Sequence, residues 1–228
     1  MVCLWVALYG LTHICAEKFS QVLPDSIWII PSAMLLYTLT ILLWICLTGR
    51  SQMIRLHMPP PLSPEKWFHI LPLFFLPGYN ILVSEGLTID LPAVVLMLST
   101  SVTEELFFRG FLLYYLSKNN KNAGIYLTSI FFSILHLVNL TQGIDLAYTS
   151  MQVICAFASG LCYSSVTMIT NSLFPCIVAH FLTNITASRR FSLSYPETAG
   201  MWICVVVCIC WGIWQSYLIR KYDKENQS

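Results

Sequence analysis

The sequence predicts an all-α, polytopic membrane protein, a helical bundle with about eight transmembrane helices. Hydrophobic residues make up 57% of the 228 residues and charged residues only 10%, and the mean hydropathy is +0.69. A soluble domain averages about 45–50% apolar and about 25% charged residues. The apolar residues are also gathered in runs close to the roughly 20 residues that a helix needs to cross a bilayer.

Polar, proline or glycine residues separate the apolar runs, and the connections are short. One integral-membrane domain over residues 1–228 is therefore predicted. The first run is interpreted as a retained span, because it lacks the positive stretch and small-residue site of a cleaved signal. Pro72, Pro77 and Gly78 predict an irregular third span. The predicted spans are about 2–16, 27–47, 67–83, 91–116, 123–141, 146–169, 171–188 and 201–219.

The distribution of lysine and arginine predicts the orientation in the membrane. Cytoplasmic loops carry an excess of these residues, and eight of them fall on the side that also holds both termini. The longest connection, about 48–66, lies on that side, and its proline-rich half cannot be helical throughout. Both termini are therefore predicted to be cytoplasmic. The eight are Arg50, Arg55, Lys66, Lys118, Lys121, Arg220, Lys221 and Lys224, against Lys18, Arg189 and Arg190 on the other side.

The fourth predicted span carries three charged residues in its middle, Glu104, Glu105 and Arg109. Each charge inside a membrane costs roughly 2.5–3.5 kcal/mol, so such residues are usually paired and face a functional interior. Residues four apart share a helix face, which predicts that Glu105 and Arg109 pair. Glu104 points about 100° away and is left free for chemistry. A buried ion network that only fixes helix packing is the alternative.

Two histidines lie deep in other predicted spans. His136 lies in the fifth span, and His180 lies in the seventh with Asn184 on the same helix face. Glu104 and His136 each lie about 20 Å from the cytoplasmic ends of their spans at 1.5 Å per residue, and His180 about 14 Å from the opposite face. In a hydrocarbon core about 30 Å thick these depths coincide. All six polar residues are therefore predicted to line one cavity.

Two chemistries suit these residues. A general base that activates water, with nearby donors aimed at an oxyanion, is typical of a hydrolase. Glutamate and two histidines can instead bind Zn²⁺ with an open position. The net charge of +1 and the absence of a basic cluster predict no nucleic-acid partner.

Three motifs resemble those of the CPBP intramembrane proteases, which include CAAX prenyl endopeptidases and bacteriocin-processing enzymes and are also called the ABI family. The first motif, E-E-x-x-x-R, starts at Glu104. The second, F-x-x-x-H, runs from Phe132 to His136, and the third, H-x-x-x-N, from His180 to Asn184. The resemblance covers about residues 90–188, where the catalytic core is expected.

The resemblance implies an endopeptidase and a role for each motif residue. Glu104 would activate water and His136 would help to position it. His180 and Asn184 would stabilise the oxyanion, and Glu105 and Arg109 would orient the site. The family has also been described as metal-dependent, with Glu104, His136 and His180 as potential ligands. No cofactor is favoured, and Zn²⁺ is the second option.

The expected partners are the lipid bilayer and a membrane-associated peptide or protein substrate. A lipidated peptide, a pheromone precursor and a bacteriocin leader all suit a lipid-facing cavity. The small size and short loops favour a bacterial cell membrane as the location. Two other classes stay open: a non-enzymatic interaction or bacteriocin-immunity protein on the same fold, and a proton-coupled transporter, which the absence of an evident repeat disfavours.

Overall fold

The computed structural model describes residues 2–23, 26–57, 64–83, 89–187 and 195–225. Every regular element in these ranges is helical, which confirms the all-α prediction. Two short 3₁₀ segments, Leu71–Phe74 and His136–Gln142, and one π-helical segment, Leu106–Leu112, join the α-helices. The α-helices are α1 (Val2–Val22), α2 (Ile29–Leu47), α3 (Pro64–Ile70), α4 (Phe75–Leu82), α5 (Leu91–Glu105), α6 (Leu113–Leu116), α7 (Lys121–Leu135), α8 (Leu146–Thr170), α9 (Phe174–Ala187) and α10 (Tyr195–Glu225).

Five helical stretches in the described part of the chain are long and apolar enough to cross a membrane. They coincide with five of the eight predicted spans, and the protein is an integral membrane protein. They are Ile29–Leu47, Leu91–Leu116, Lys121–Gln142, Leu146–Thr170 and Ala199–Tyr222.

The other three predicted spans are shorter or more polar. Trp67–Leu82 and Phe174–Ala187 form shorter apolar helices, and the 3₁₀ segment at Pro72 confirms the predicted irregularity of the former. The first predicted span lies within α1, which is not among the five. Three features of the sequence predictions lie outside the described residues: the proline-rich stretch 58–63, residue 188 at the end of the seventh span, and the Arg189–Arg190 pair.

Acidic and amide side chains fix the starts of the helices that carry the site. Asp90 accepts a hydrogen bond from the backbone N–H of Ala93 at 2.8 Å and begins α5. Asn120 does the same for α7, and Asp145 accepts from two backbone N–H groups at the start of α8. Such caps satisfy donors that have no partner within the helix.

The π segment follows directly after the two adjacent glutamates and contains Arg109. π-helical turns are rare and occur frequently at functional sites. Gly110 lets this segment approach the loop after α2 closely, since a Cβ at Gly110 would lie 3.2 Å from the Cβ of Ile54. Ile54 and Leu106 are both fully buried there. The chain thus changes its helical geometry at the charged stretch and packs it tightly.

Two residues with left-handed backbone conformation join the loop after α2 to the turn before α9. Arg55 has φ of 56° and Asn171 has φ of 53°, a region uncommon for residues other than glycine. The Arg55 side chain donates from Nε to Asn171 Oδ1 at 2.9 Å, and the Leu173 N–H donates to the Arg55 carbonyl at 3.0 Å. Burial lowers the pKa of the Arg55 guanidinium from its ordinary value. This junction fixes where α9, the helix of His180, begins.

The charged stretch lies at the centre of the bundle. α5 packs between α2 and α9, and α8 packs between α7 and α10. Large apolar side chains such as Leu39, Leu43 and Ile203 are more than half exposed on the outside, as expected where lipid replaces water. The main core cluster joins α2 to the π segment through Tyr37, Ile41, Ile45, Ile54, Leu106, Phe107, Phe108, Phe111, Phe132, Ala156, Leu173 and Ile177.

Candidate active site

Glu105 and Arg109 form a fully buried ion pair. Arg109 Nη1 lies 2.8 Å from Glu105 Oε1, and neither side chain is exposed. The i,i+4 pairing predicted from the sequence is therefore confirmed. The guanidinium also lies over the ring of Phe132 at 4.2 Å and that of Tyr163 at 5.2 Å. Aromatic faces attract a cation electrostatically, so they replace part of the hydration that Arg109 lost on burial.

His180 lies between the two glutamates. Its Nδ1 is 2.8 Å from Glu105 Oε1, and its Nε2 is 3.6 Å from Glu104 Oε2. The carboxylate of Glu105 therefore has both Arg109 and His180 as partners. Glu104 keeps a side-chain exposure of 20%. The two adjacent carboxylates thus have different environments, as the sequence predicted from their positions around the helix.

His136 ends α7 and begins the 3₁₀ segment that follows. Its ring packs edge-on against Phe132, with centroids 5.4 Å apart. The same Phe132 packs edge-on against His180 at 5.7 Å. One phenylalanine of the second motif thus separates and orients both imidazoles. A nitrogen of His180 lies 3.6 Å from a Glu104 oxygen. The role of His136 in positioning the water, which the resemblance implies, stays a prediction.

Asn184 lies on the next turn of α9 and is held by α5. Its Nδ2 donates to Ser101 Oγ at 3.1 Å, and Ser101 donates in turn to the Met97 carbonyl at 2.7 Å. An amide carries two N–H donors. The contact with Ser101 uses one of them. The oxyanion role that the resemblance implies for Asn184 stays a prediction.

A cavity of about 140 Å³ is lined by three of the six predicted site residues, His136, His180 and Asn184, whereas the two glutamates and the arginine are not among its lining residues. Liquid water occupies about 30 Å³ per molecule, so this space corresponds to about five waters. Most of its polar lining is uncharged. The lining residues are Leu76, Asn80, Phe132, His136, Tyr148, Met151, Gln152, Cys155, Ala156, Ser159, Tyr163, His180, Thr183, Asn184, Ala187 and Met201.

Sequence reasoning missed two residues that shape this site. Tyr163 packs its ring 5.9 Å from His180 and also faces Arg109. Ser101 orients Asn184. Both residues lie in apolar helices, where a single aromatic or small polar residue does not alter the hydrophobic periodicity. Ser101 lies three residues before Glu104, on the same side of α5, and that spacing was the one available hint.

The donors do not form a three-ligand metal site among the residues that the structure describes. His180 already uses Nδ1 for Glu105 and has Nε2 directed to Glu104. The His136 ring packs edge-on against Phe132. The zinc alternative stays a prediction, and the mechanism proposed below contains no metal step.

A comparison with protein families finds one match over the charged core. Residues 88–186 match the family described as type II CAAX prenyl endopeptidase Rce1-like. The matched range contains all six predicted site residues. No curated protein and no solved structure matches the chain significantly.

Proposed function

We propose that Glu104 is the general base of an intramembrane endopeptidase, since residues 88–186 match the type II CAAX prenyl endopeptidase Rce1-like family. In this proposal Glu104 activates a water that attacks a peptide bond of a membrane-associated substrate. The observation that supports this proposal is that the two adjacent carboxylates differ in exposure and in their partners. Glu105 is fully buried and bound by Arg109 and His180, whereas Glu104 retains 20% exposure.

Glu105 holds the imidazole of His180 in one orientation. A hydrogen bond at one ring nitrogen fixes which nitrogen carries the proton and how the ring is turned. With Nδ1 donating to Glu105, Nε2 faces Glu104 across 3.6 Å. That distance exceeds a good hydrogen bond. Glu104 and His180 can therefore both contact one water at the edge of this gap.

The proposed reaction conserves protons at each step. As the water oxygen attacks the carbonyl carbon, Glu104 takes one of the water's protons. The negative charge moves to the former carbonyl oxygen, where the second N–H of Asn184 donates a hydrogen bond. Glu104 then gives its proton to the departing amine as the C–N bond breaks. Arg109 stays with Glu105 throughout.

The substrate in this proposal is a peptide or protein segment that reaches the cavity from the membrane. The cavity lining is apolar and uncharged polar, which suits a segment without charged side chains near the scissile bond. A lipidated C-terminal peptide, a pheromone precursor and a bacteriocin leader meet this condition. Comparing the cleavage of prenylated and plain peptides distinguishes these substrate classes.

The test is cleavage of quenched peptides by detergent-purified wild type, Glu104→Gln and Glu225→Gln. Glu225 is an exposed glutamate near the end of α10 and serves as the matched control. We expect loss of turnover in Glu104→Gln alone, with normal folding. Equal cleavage by wild type and Glu104→Gln would remove Glu104 as the base. Loss on chelation that Zn²⁺ restores would refute the metal-free mechanism, and no cleavage by any of the three proteins would favour a non-enzymatic role.

The orientation proposed with this function has both termini on the cytoplasmic side. Asn119 and Gln142 lie in exposed connections at opposite ends of α7. An introduced cysteine at Asn119 should be labelled only after the cytoplasmic side is opened, and one at Gln142 from outside intact cells. Labelling in the reverse pattern would overturn the orientation.

A further inference from the structure

Two amide side chains that the proposed reaction does not use line the same cavity as His180 and Asn184. They are Asn80 of α4 and Gln152 of α8, and both are half-buried. α4 packs on α9, the helix that carries His180 and Asn184. Gln152 lies on the face of α8 that lines the cavity, since Ser159, seven residues further on, lines it as well. The two amides therefore reach one space from two different helices.

A hydrogen bond fixes the orientation of the Gln152 amide. Its Oε1 accepts from Nδ2 of Asn139, a residue of the 3₁₀ segment that begins at His136. Residues three apart in a 3₁₀ helix lie above one another, so Asn139 is on the same side of this segment as His136. The bond thus joins the segment to α8 beside the cavity. Because the oxygen of Gln152 is turned toward Asn139, the NH₂ group on the same amide carbon lies on the side away from Asn139.

The Asn80 amide is held by its other end. Its Nδ2 donates to Thr186 Oγ1 at 3.2 Å, and that hydroxyl donates in turn to the Leu182 carbonyl at 2.7 Å. The NH₂ group of Asn80 is therefore turned toward α9, and its Oδ1 lies on the side away from Thr186. An amide oxygen accepts hydrogen bonds and an amide NH₂ donates them. The cavity wall thus combines an acceptor from α4 with a donor from α8.

A peptide segment that is cleaved inside a membrane needs partners of both kinds. Each of its backbone units carries one N–H donor and one carbonyl acceptor. A helix pairs these groups internally, and lipid provides no substitute for them. Where the segment is unwound so that a water can attack a carbonyl carbon, the protein must supply the missing partners. Within the described part of the chain, the lining of this cavity contains no aspartate, glutamate, lysine or arginine, so its amides can pair with backbone groups without selecting a charged side chain.

We propose that Asn80 and Gln152 bind the backbone of an extended, uncharged peptide segment next to the scissile bond. The Gln152 NH₂ group donates to a substrate carbonyl, and Asn80 Oδ1 accepts from a substrate N–H. The substrate class is then an unwound apolar segment that is recognised through its backbone. The inference rests on the proposed function, because it takes this cavity as the place where the substrate lies. It also gives α4 a part in substrate binding, although α4 precedes the matched segment 88–186.

The kinetic test compares wild type, Asn80→Leu and Gln152→Met on a plain peptide that wild type cleaves. Both changes keep the size of the side chain and remove its hydrogen-bonding groups. We expect KM to rise about tenfold in each variant, with kcat within about twofold, as for a contact made equally in the ground state and the transition state. The matched controls are Asn119→Leu and Gln142→Met at exposed positions, and neither should change KM. An unchanged KM in both cavity variants would overturn the inference.

A binding test is independent of turnover. The probe is a short fluorescein-labelled peptide of alanine, leucine and valine with blocked ends, and its anisotropy is followed with detergent-purified Glu104→Gln protein. Adding Asn80→Leu or Gln152→Met should raise Kd about tenfold, and a peptide held helical by α-aminoisobutyric acid should lose affinity. An unchanged Kd, equal binding of the helical peptide, or no binding by any of the proteins would overturn the inference. Cleavage by Glu104→Gln would instead refute the proposed general base, and it leaves the Kd comparison valid.

Discussion

Replacing Arg109 with methionine should destabilise the protein strongly. The substitution keeps an unbranched side chain but leaves Glu105 without its cation, in a place where neither residue has any exposure. Removing one partner of a buried ion pair typically costs about 3–5 kcal/mol. His180 still contacts Glu105 at 2.8 Å, which limits the loss. The contact of the guanidinium with Phe132 at 4.2 Å adds about 1 kcal/mol.

Together these terms give about 4 kcal/mol of lost unfolding free energy. For a chain of this size, about 2–4 °C corresponds to 1 kcal/mol, so the melting temperature should fall by about 8–16 °C. The assay is thermal unfolding of purified protein in one detergent, followed by tryptophan fluorescence. Arg220→Met, at an exposed arginine of α10, is the matched control and should change the unfolding free energy by less than about 0.5 kcal/mol.

A second variant separates charge from packing. Glu105→Gln combined with Arg109→Met removes both charges, and replacing a buried pair by neutral groups is often close to neutral for stability. The double variant should therefore regain most of the lost melting temperature while remaining inactive, because the carboxylate that orients His180 is gone. If Arg109→Met melted within about 1 °C of wild type, or if the double variant were less stable than the single one, the reasoning about an uncompensated Glu105 charge would be wrong.

Two further predictions concern the walls of the site. Gly160→Ala places a Cβ 3.1 Å from that of Ser129, so α7 and α8 must move apart at a cost of about 1–3 kcal/mol in thermal unfolding. Gly10→Ala is the control, because nothing lies within 4 Å of the added Cβ, and it should not destabilise the protein. Equal melting temperatures for Gly160→Ala and Gly10→Ala would refute the prediction. Asn184→Ala should lower kcat about 100-fold with little change in stability. Ser101→Ala removes the hydroxyl that accepts from the Asn184 amide. If Ser101→Ala were as slow as Asn184→Ala, the oxyanion role of Asn184 would be refuted.

Local interactions in this protein could be predicted because they depend on spacing within one helix. The apolar runs gave the membrane helices, since the length of a span is set by bilayer thickness. The pairing of Glu105 with Arg109 follows from helix periodicity, and it persists although Arg109 lies in a π segment. The π segment itself was not predicted, because it depends on how Gly110 packs against Ile54.

Comparable membrane depth predicted that the six motif residues share one cavity, but only His136, His180 and Asn184 line it, and depth gave no indication of which residues touch. His180 and Glu105 are 75 positions apart in the chain, and their contact depends on the rotation of α9 about its axis. That rotation is fixed by packing and by the Arg55–Asn171 junction at the start of α9. The sequence by itself determined the helices and the chemical groups, whereas the tertiary structure decided the contacts between helices, because side-chain distances across a bundle depend on helix rotation and docking rather than on residue spacing.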